Sequence, residues 1–127
     1  MEEALRYELN VITELYNKIY PTNAPEDKDP PYLVYYLGRY EQLKTLDGFK
    51  NNYEASYLLN ILASSYEEMK DLTKKVGDVV STFLKREIGE GGIYVSDLSI
   101  KKAPETFEHE LQLYRGIWEV TFWFKEV

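Results

Sequence analysis

The single histidine of the chain is the first candidate for chemistry, because it lies in an acidic segment. His109 stands between Glu108 and Glu110, and Glu105 lies shortly upstream. In an extended segment neighbouring side chains point to opposite faces, so these two flanking carboxylates do not converge with the imidazole on one metal ion. The chain has no cysteine and no nucleophile elbow that would give the histidine a partner. We expect a solvated acidic turn over Pro104–His109, and a weak carboxylate site that includes Glu105 is the alternative.

Two further patterns imitate catalytic motifs. The glycine-rich run Ile88–Gly92 resembles a phosphate loop, but such a loop follows a strand and opens a helix. Here a predicted helix comes first, so the glycines indicate the turn that ends it. The pairs Glu2/Glu3 and Glu67/Glu68 fall in the first turns of predicted helices, where the helix dipole favours negative charge. The sequence therefore offers no catalytic, cofactor-binding or metal-binding residue, and we expect a protein that is not an enzyme and needs no cofactor.

Composition and charge indicate which classes of partner the protein is expected to bind. The 127 residues carry 15 basic and 22 acidic side chains, a net charge of −7, and the basic residues are scattered. A protein that grips a phosphate backbone usually shows a basic patch, so specific DNA binding is not expected, although DNA could pass an acidic wall that repels it. No apolar run approaches the roughly 20 residues that span a bilayer, and no signal peptide is recognisable. We therefore expect no membrane association and synthesis in the cytoplasm.

Hydrophobic spacing predicts the elements that must position any site. The chain is expected to be one domain, 1–127, with a helix over 2–20, a proline-rich linker over 21–31 and a ββαββ unit over 32–127. The predicted strands are Tyr32–Tyr40, Tyr53–Ala63, Ile93–Lys101 and Glu110–Lys125, with a loop or long hairpin tip at Glu41–Asn52. A second helix is expected to open at Ser65, with Lys85 and Arg86 near its C-terminal end. The order α-β-β-α-β-β predicts an α+β fold, in which a four-stranded antiparallel sheet carries two helices on one face.

The last predicted strand has two apolar faces. One parity carries Tyr114, Gly116, Trp118, Val120, Phe122 and Phe124, and we expect it to pack under the helices. The other parity carries Leu113, Ile117 and Trp123 among charged residues such as Arg115. This second face is too apolar for free contact with solvent. It is a candidate subunit contact if the protein assembles, and it should be covered by the chain itself if the protein does not.

The predicted hairpin loop carries a second candidate contact. Asp47 and Gly48 are a strong turn signal, but a bare turn does not require the flanking Leu46 and Phe49. Exposed apolar residues at a loop tip suggest docking to a partner. The alternative is that both side chains fold back onto the domain. Aspartate at both apolar positions is expected to block assembly in the first case and to unfold the chain in the second.

Several short stretches, taken in order, resemble one known family. They are Pro31-Tyr32-Leu33-Val34-Tyr35 at the first strand, Thr45-Leu46-Asp47-Gly48 in the hairpin, Tyr53–Ile61 before an amphipathic helix, and Glu110-Leu111-Gln112-Leu113-Tyr114-Arg115 at the aromatic last strand. Together they resemble the tail-completion, or tail-terminator, proteins of long-tailed bacteriophages and prophages. The resemblance covers almost the whole chain, from Leu5 to Phe124.

The resemblance implies a structural role in a virion tail, assembled in the bacterial host cytoplasm. Such proteins form a hexameric ring that caps the tail tube, ends its polymerisation and joins the tail to the connector of the head. The implied partners are other copies of the chain, the tail tube protein and a connector or neck protein, while DNA passes through the ring without specific binding. A monomeric free form is compatible with this role. The alternatives are a neck or head-closure protein, or a small ligand-binding or enzyme domain with a pocket lined by Glu105, Glu108 and His109.

Overall fold

One β-sheet, curled into a half-barrel, carries most of the chain. A computed structural model describes residues 1–22, 24, 28–45 and 48–126, and of residues 45 and 48–51 only the backbone. The helices within these ranges are α1 (Glu2–Leu9) and α2 (Tyr66–Ser81), with a 3₁₀ turn at Thr13–Leu15. The strands are β1 (Ile19–Pro21), β2 (Tyr32–Thr45), β3 (Gly48–Ala63), β4 (Arg86–Ile88), β5 (Ile93–Glu108) and β6 (Leu113–Glu126).

The expected four-stranded antiparallel sheet is wrong, because the described strands form a six-stranded mixed sheet in the order β1-β2-β3-β6-β5-β4. The four long strands pair antiparallel with their neighbours. A short strand is added at each edge, β1 parallel to β2 and β4 antiparallel to β5. Each of these edge strands has three residues, too few for an alternating pattern to be recognised in the sequence.

The N-terminal segment departs most from its prediction. The helix expected over 2–20 ends at Leu9, and Asn10 forms its C-cap. The apolar residues that continue the helical spacing are nevertheless buried: Ile12, Leu15 and Ile19. Asn17 adopts a left-handed backbone with φ of 56°, which asparagine tolerates, and its N–H donates to Asn10 Oδ1 at 3.0 Å. This turn redirects the chain into β1, whose last residue is Pro21.

Helix α2 follows its prediction at the N-terminus and differs at the C-terminus. Ser65 is the N-cap, and its hydroxyl accepts a hydrogen bond from the Glu68 N–H at 3.2 Å. Arg86, expected near the helix end, lies in β4 instead. Its Nε still donates to the carbonyl oxygen of Thr82, the C-cap residue, at 2.8 Å. A cation therefore does serve the negative end of the helix dipole, but from the following strand.

Two segments expected outside the regular strands are partly strand. β2 continues to Thr45 and β3 begins at Gly48, so the described residues of 41–52 belong to a long paired hairpin and not to a loop. The acidic turn expected at 104–109 is likewise wrong, because β5 continues to Glu108. Pro104 sits at an irregularity between Ala103 and Thr106, in a part of β5 that β4 does not cover, where a missing N–H is tolerated. The glycine run does form a turn, but it joins β4 to β5 and does not end a helix.

The core lies between the helices and one face of the sheet. Leu5 and Leu9 of α1, and Leu72, Val76 and Val80 of α2, are fully buried in one cluster with inward residues of the sheet. The sheet residues of that cluster include Leu33, Tyr35, Ala55, Tyr57, Leu59, Ile61, Val95, Val120, Phe122 and Phe124. The expected packing of the Val120–Phe124 parity under the helices is confirmed. Neither helix in the described ranges has the length and apolar character needed to cross a membrane.

Candidate assembly interface

The face of the sheet that turns away from the helices is the outer face, and much of it is open. Its cross-strand neighbours on β3 and β6 are Leu62 with Arg115, Asn60 with Ile117, Leu58 with Glu119, Ser56 with Thr121 and Glu54 with Trp123. Alternate residues of a strand share a face, so these pairs lie opposite the core residues of the same strands. The Ser56 and Thr121 hydroxyl oxygens are 3.0 Å apart and share a hydrogen bond.

One corner of the outer face is covered by the chain itself. A small cluster of buried residues forms there: Tyr32, Val34, Leu62 and Leu113. Residues from the N-terminal side pack against it, namely Tyr20 and Ala24, together with Tyr36. Leu113 is 6% exposed, so in the isolated chain this predicted contact residue is occupied within its own corner. The alternative expectation, that the chain covers the second face, therefore holds at this corner.

Arg115 is held beside that corner by hydrogen bonds on two sides. Its Nε donates to Glu108 Oε1 at 2.8 Å, and its Nη1 donates to Asn60 Oδ1 at 2.8 Å. Asn60 is buried and in turn donates through Nδ2 to the Val34 carbonyl oxygen at 3.3 Å. The guanidinium therefore links β6, β5 and β3. A partner that contacted Arg115 would meet a side chain already fixed in position.

The centre of the outer face is open. Ile117 and Trp123 are half-buried, Glu119 is exposed, and Leu58 between them is 39% exposed. Among the described residues no helix packs on this side, because the buried residues of α1 and α2 join the core on the other side. The structure thus places the predicted contact residues Ile117 and Trp123 on the open side of the sheet, among polar neighbours such as Glu119. Leu58 was not among the predicted contact residues. Its place between Tyr57 and Leu59, which face the core, could have indicated an apolar side chain on the outer face.

A second exposed apolar group lies on β2, beyond the part covered by β1. Leu37 is 50% exposed and Tyr40 is 45% exposed. The Tyr40 ring contacts the rings of Tyr53 and Phe124, with centroids 5.5 and 6.1 Å apart. This strand carries apolar residues on both faces, and within the described chain Leu37 and Tyr40 are only half covered.

Only part of the predicted contact at the hairpin loop lies within the described residues. Leu46 and Asp47 lie outside the described residues. Gly48 and Phe49 begin β3, where Gly48 pairs with Thr45 and Phe49 with Lys44. The choice between docking to a partner and folding back onto the domain therefore stays a prediction.

The residues of the rival carboxylate pocket point in different directions. Glu105 lies on the helix side, where it accepts a hydrogen bond from the Tyr66 hydroxyl at 3.1 Å and pairs with Lys70 Nζ at 3.0 Å. The hydrogen bond from Lys70 lowers the pKa of the Glu105 carboxyl below its ordinary value. Glu108 instead bonds Arg115 on the outer face, and the exposed His109 ring stacks edge-on against Phe107. In the described part of the chain no group of three or more acidic, histidine or cysteine residues is placed to hold a metal ion.

The architecture is therefore a half-barrel with helices on its inner side and an open outer face. The same fold is found in a chain of the virion of the native gene transfer agent particle, with a TM-score of 0.63 and 12% sequence identity over 92% of this chain and 84% of that one. A second solved chain is similar at a TM-score of 0.49 and 12% identity over 87% of this chain and 79% of its own, too low a score to support an argument. No model of a protein family matches the sequence, and no curated protein is significantly similar to it.

Proposed function

We propose that this chain is a structural protein of a phage or phage-like virion and acts there as a tail-completion protein. In this role copies of the chain form a hexameric ring that caps the tail tube, ends its polymerisation and joins the tail to the head connector. The observation that carries the proposal is the fold shared with a virion chain over 92% of the sequence. The resemblance of its strand and hairpin motifs to tail-completion proteins supports the same role.

The open outer face supports an assembled form. A cyclic ring joins two different surfaces of each subunit, so each copy must offer two separate contacts. Antiparallel sheets can leave one face to solvent, but Leu58, Ile117 and Trp123 add apolar area to this face, which suits a contact with a partner. Leu37 and Tyr40 supply a separate exposed group near one edge. Burial of both surfaces by neighbouring subunits would explain why these apolar side chains are exposed in the single chain.

The net charge and the placement of the rival pocket residues are compatible with this role. A net charge of −7 disfavours adhesion of DNA that passes through a ring, because like charges repel. The residues of the rival pocket, Glu105, Glu108 and His109, are engaged separately on different sides of the sheet. This separation favours a structural protein over an enzyme or ligand-binding domain that would use them together.

Electron microscopy with tail tubes tests the proposal. The purified protein is mixed with tubes assembled from the tail tube protein of the same phage or prophage, and the tube ends are imaged. A ring at one end of each tube is expected, whether or not the free protein is monomeric. A Leu37→Asp variant is expected to lose ring formation, and Leu84→Asp, at a similarly exposed leucine after α2, is the matched control. Absence of binding at either tube end under every condition would contradict the role.

A further inference from the structure

Strand β2 has an outer edge that the described chain leaves mostly without a pairing strand. β1 covers this edge only opposite Leu33–Tyr35, and the last bond runs from the Thr22 N–H to the Tyr35 carbonyl oxygen at 2.9 Å. Over Tyr36–Glu41, no other described strand pairs with that edge. Unpaired strand edges are templates for pairing with another chain, and monomers usually shorten or cover them.

Strand β5, on the opposite side of the sheet, has a similar outer edge. β4 covers it only opposite Ile93–Val95, ending with the bond from the Lys85 N–H to the Val95 carbonyl oxygen at 2.8 Å. Over Asp97–Lys101 the strands of the described chain pair with β5 on the β6 side alone. The Leu98 N–H donates to the carboxylate of Asp97 at 2.9 Å and not to a strand. A further strand would have to replace this local bond, while the rest of the stretch has no strand partner on this side within the described chain.

The two free stretches lie at the same height on the sheet. The cross-strand register runs from Tyr36 through Leu58 and Glu119 to Lys101, and from Glu41 through Glu54 and Trp123 to Asp97. β1 and β4 cap the two edges at opposite ends of these stretches. A second copy placed beside the first, without a shift along the strands, would bring one free stretch against the other, provided that the long strands diverge beyond it, where β1 of one copy and β4 of the next occupy the two edges.

The side chains at the two edges are also complementary. Leu37 pairs with Tyr57 on the helix side of the sheet, yet it is half exposed, as is the neighbouring Tyr40. On the same side of β5, Leu98 and Ile100 are only partly buried. Side-by-side copies would place these apolar residues together and remove them from water.

From these observations we infer that the free edge of β2 in one copy pairs antiparallel with the free edge of β5 in the next. Adjacent long strands are antiparallel throughout β2-β3-β6-β5, so β2 and β5 run in opposite directions and an antiparallel pair continues the sheet. The contact joins two different surfaces, which allows it to repeat around a closed ring. The inference rests on the proposed function. In the proposed ring, this pairing would link the sheets of all copies into one continuous sheet.

Engineered cysteines test the pairing, since the chain has none of its own. Arg39 shares a level with Ser99 through Ser56 and Thr121, so the first variant combines Arg39→Cys with Ser99→Cys. After oxidation on tail tubes, it should give a ladder of cross-linked copies that a reductant removes, because paired strands bring Cβ atoms within disulfide reach.

Two further variants sample the neighbouring registers, with Asp97→Cys or Lys101→Cys replacing the change at Ser99. A variant that combines Lys74→Cys on α2 with Ser99→Cys is the matched control, and no ladder is expected from it. A ladder from one of the three register variants supports the pairing.

Rings at tube ends with no ladder above the control from any of the three would overturn the pairing and leave the proposed function standing. Cross-linking of Arg39→Cys alone, at a yield equal to that of the double variant, would also overturn it, since that contact joins identical edges. Tube ends without rings would instead remove the proposed function itself.

Discussion

Helix α2 and strand β6 approach each other through two glycines, and adding one methyl group there should destabilise the fold. A Cβ at Gly116 would lie 2.3 Å from Thr73 Oγ1 and 2.8 Å from Met69 Sδ. A Cβ at Gly77 would lie 2.7 Å from Cζ2 of Trp118. Trp118 Nε1 also donates to the Thr73 carbonyl oxygen at 2.7 Å, so the helix cannot move outward without lengthening that bond.

The expected size of the effect follows from overpacking. Extra methyl groups in a packed core cost about 1–3 kcal/mol, and glycine-to-alanine changes recover roughly 0.4–1 kcal/mol through the unfolded state. Gly116→Ala should therefore lower the free energy of unfolding by about 1–2 kcal/mol, which lowers Tm by roughly 3–10 °C in a domain of this size. Gly77→Ala should cost less, because alanine favours a helix over glycine by about 1 kcal/mol.

Thermal and urea unfolding, followed by tryptophan fluorescence and circular dichroism, measure this effect. Gly38→Ala is the matched control in a strand, since its Cβ would lie 3.4 Å from the Ser56 carbonyl oxygen, an ordinary contact. Adding Thr73→Ala to Gly116→Ala removes the closest atom and should recover part of the loss. Equal stability of the Gly116→Ala and Gly38→Ala variants would refute the close packing of α2 on β6.

Three further predictions concern single groups. The Tyr57 hydroxyl is buried without a hydrogen-bond partner in the described structure, and burial raises its pKa well above the ordinary value, so Tyr57→Phe should raise the free energy of unfolding by about 1 kcal/mol in urea titrations; a loss of stability would contradict this. Glu8 accepts a hydrogen bond from Arg86 Nη2 at 2.5 Å and is mostly buried, so Glu8→Gln should lower Tm by an amount equivalent to about 1 kcal/mol, and an unchanged Tm would count against it. The hydrogen bond from Lys70 lowers the pKa of Glu105, so its stabilising effect is present above the ordinary carboxyl value of 4.5 and is lost as pH falls; Glu105→Gln should reduce the acid-side fall of Tm, and superimposable pH profiles would disprove this.

The sequence predicted those elements whose local signals agree with their tertiary surroundings. Ser65 is a good N-cap, and the apolar stripe that follows it is buried in α2 as its spacing requires. The alternating residues of β6 likewise divide into a core face and an outer face, with Val120 and Phe122 fully buried. In both elements, one side faces the core over the whole length, so the sequence period reports the structure directly.

The helix predicted over 2–20 was wrong after Leu9, because apolar residues at helical spacing can be buried without forming a helix. Ile12, Leu15 and Ile19 recur at helical spacing and are buried, but the chain brings them to the core through a 3₁₀ turn and a strand. The asparagines at 10 and 17 carry the deciding local signal, since their hydrogen bond and the left-handed backbone at Asn17 turn the chain. A three-residue strand such as β1 is specified by its neighbour β2 and has no period of its own.

The sequence assigned several predicted contact residues to one face of β6, and their role in a contact stays a prediction. The mixed polarity of the second face of β6 indicated an additional contact, and Ile117 and Trp123 do lie on the open side of the sheet. The same pattern could not show that Leu113 belongs to a closed corner, because that depends on Tyr32 and Leu62 from other strands. The free edges of β2 and β5 are also invisible to the sequence, since an edge is defined only by the order of strands in the sheet.

Growth of tail tubes in the presence of the protein tests the central claim most directly. Tubes of the tail tube protein are grown from preformed seeds, with and without the purified chain, and their lengths are measured by electron microscopy over time. Under the proposed role, added protein stops elongation at the capped end, and tube length stays constant while control tubes continue to grow. Equal growth with and without the protein, at concentrations that saturate tube ends, would contradict a tail-completion function.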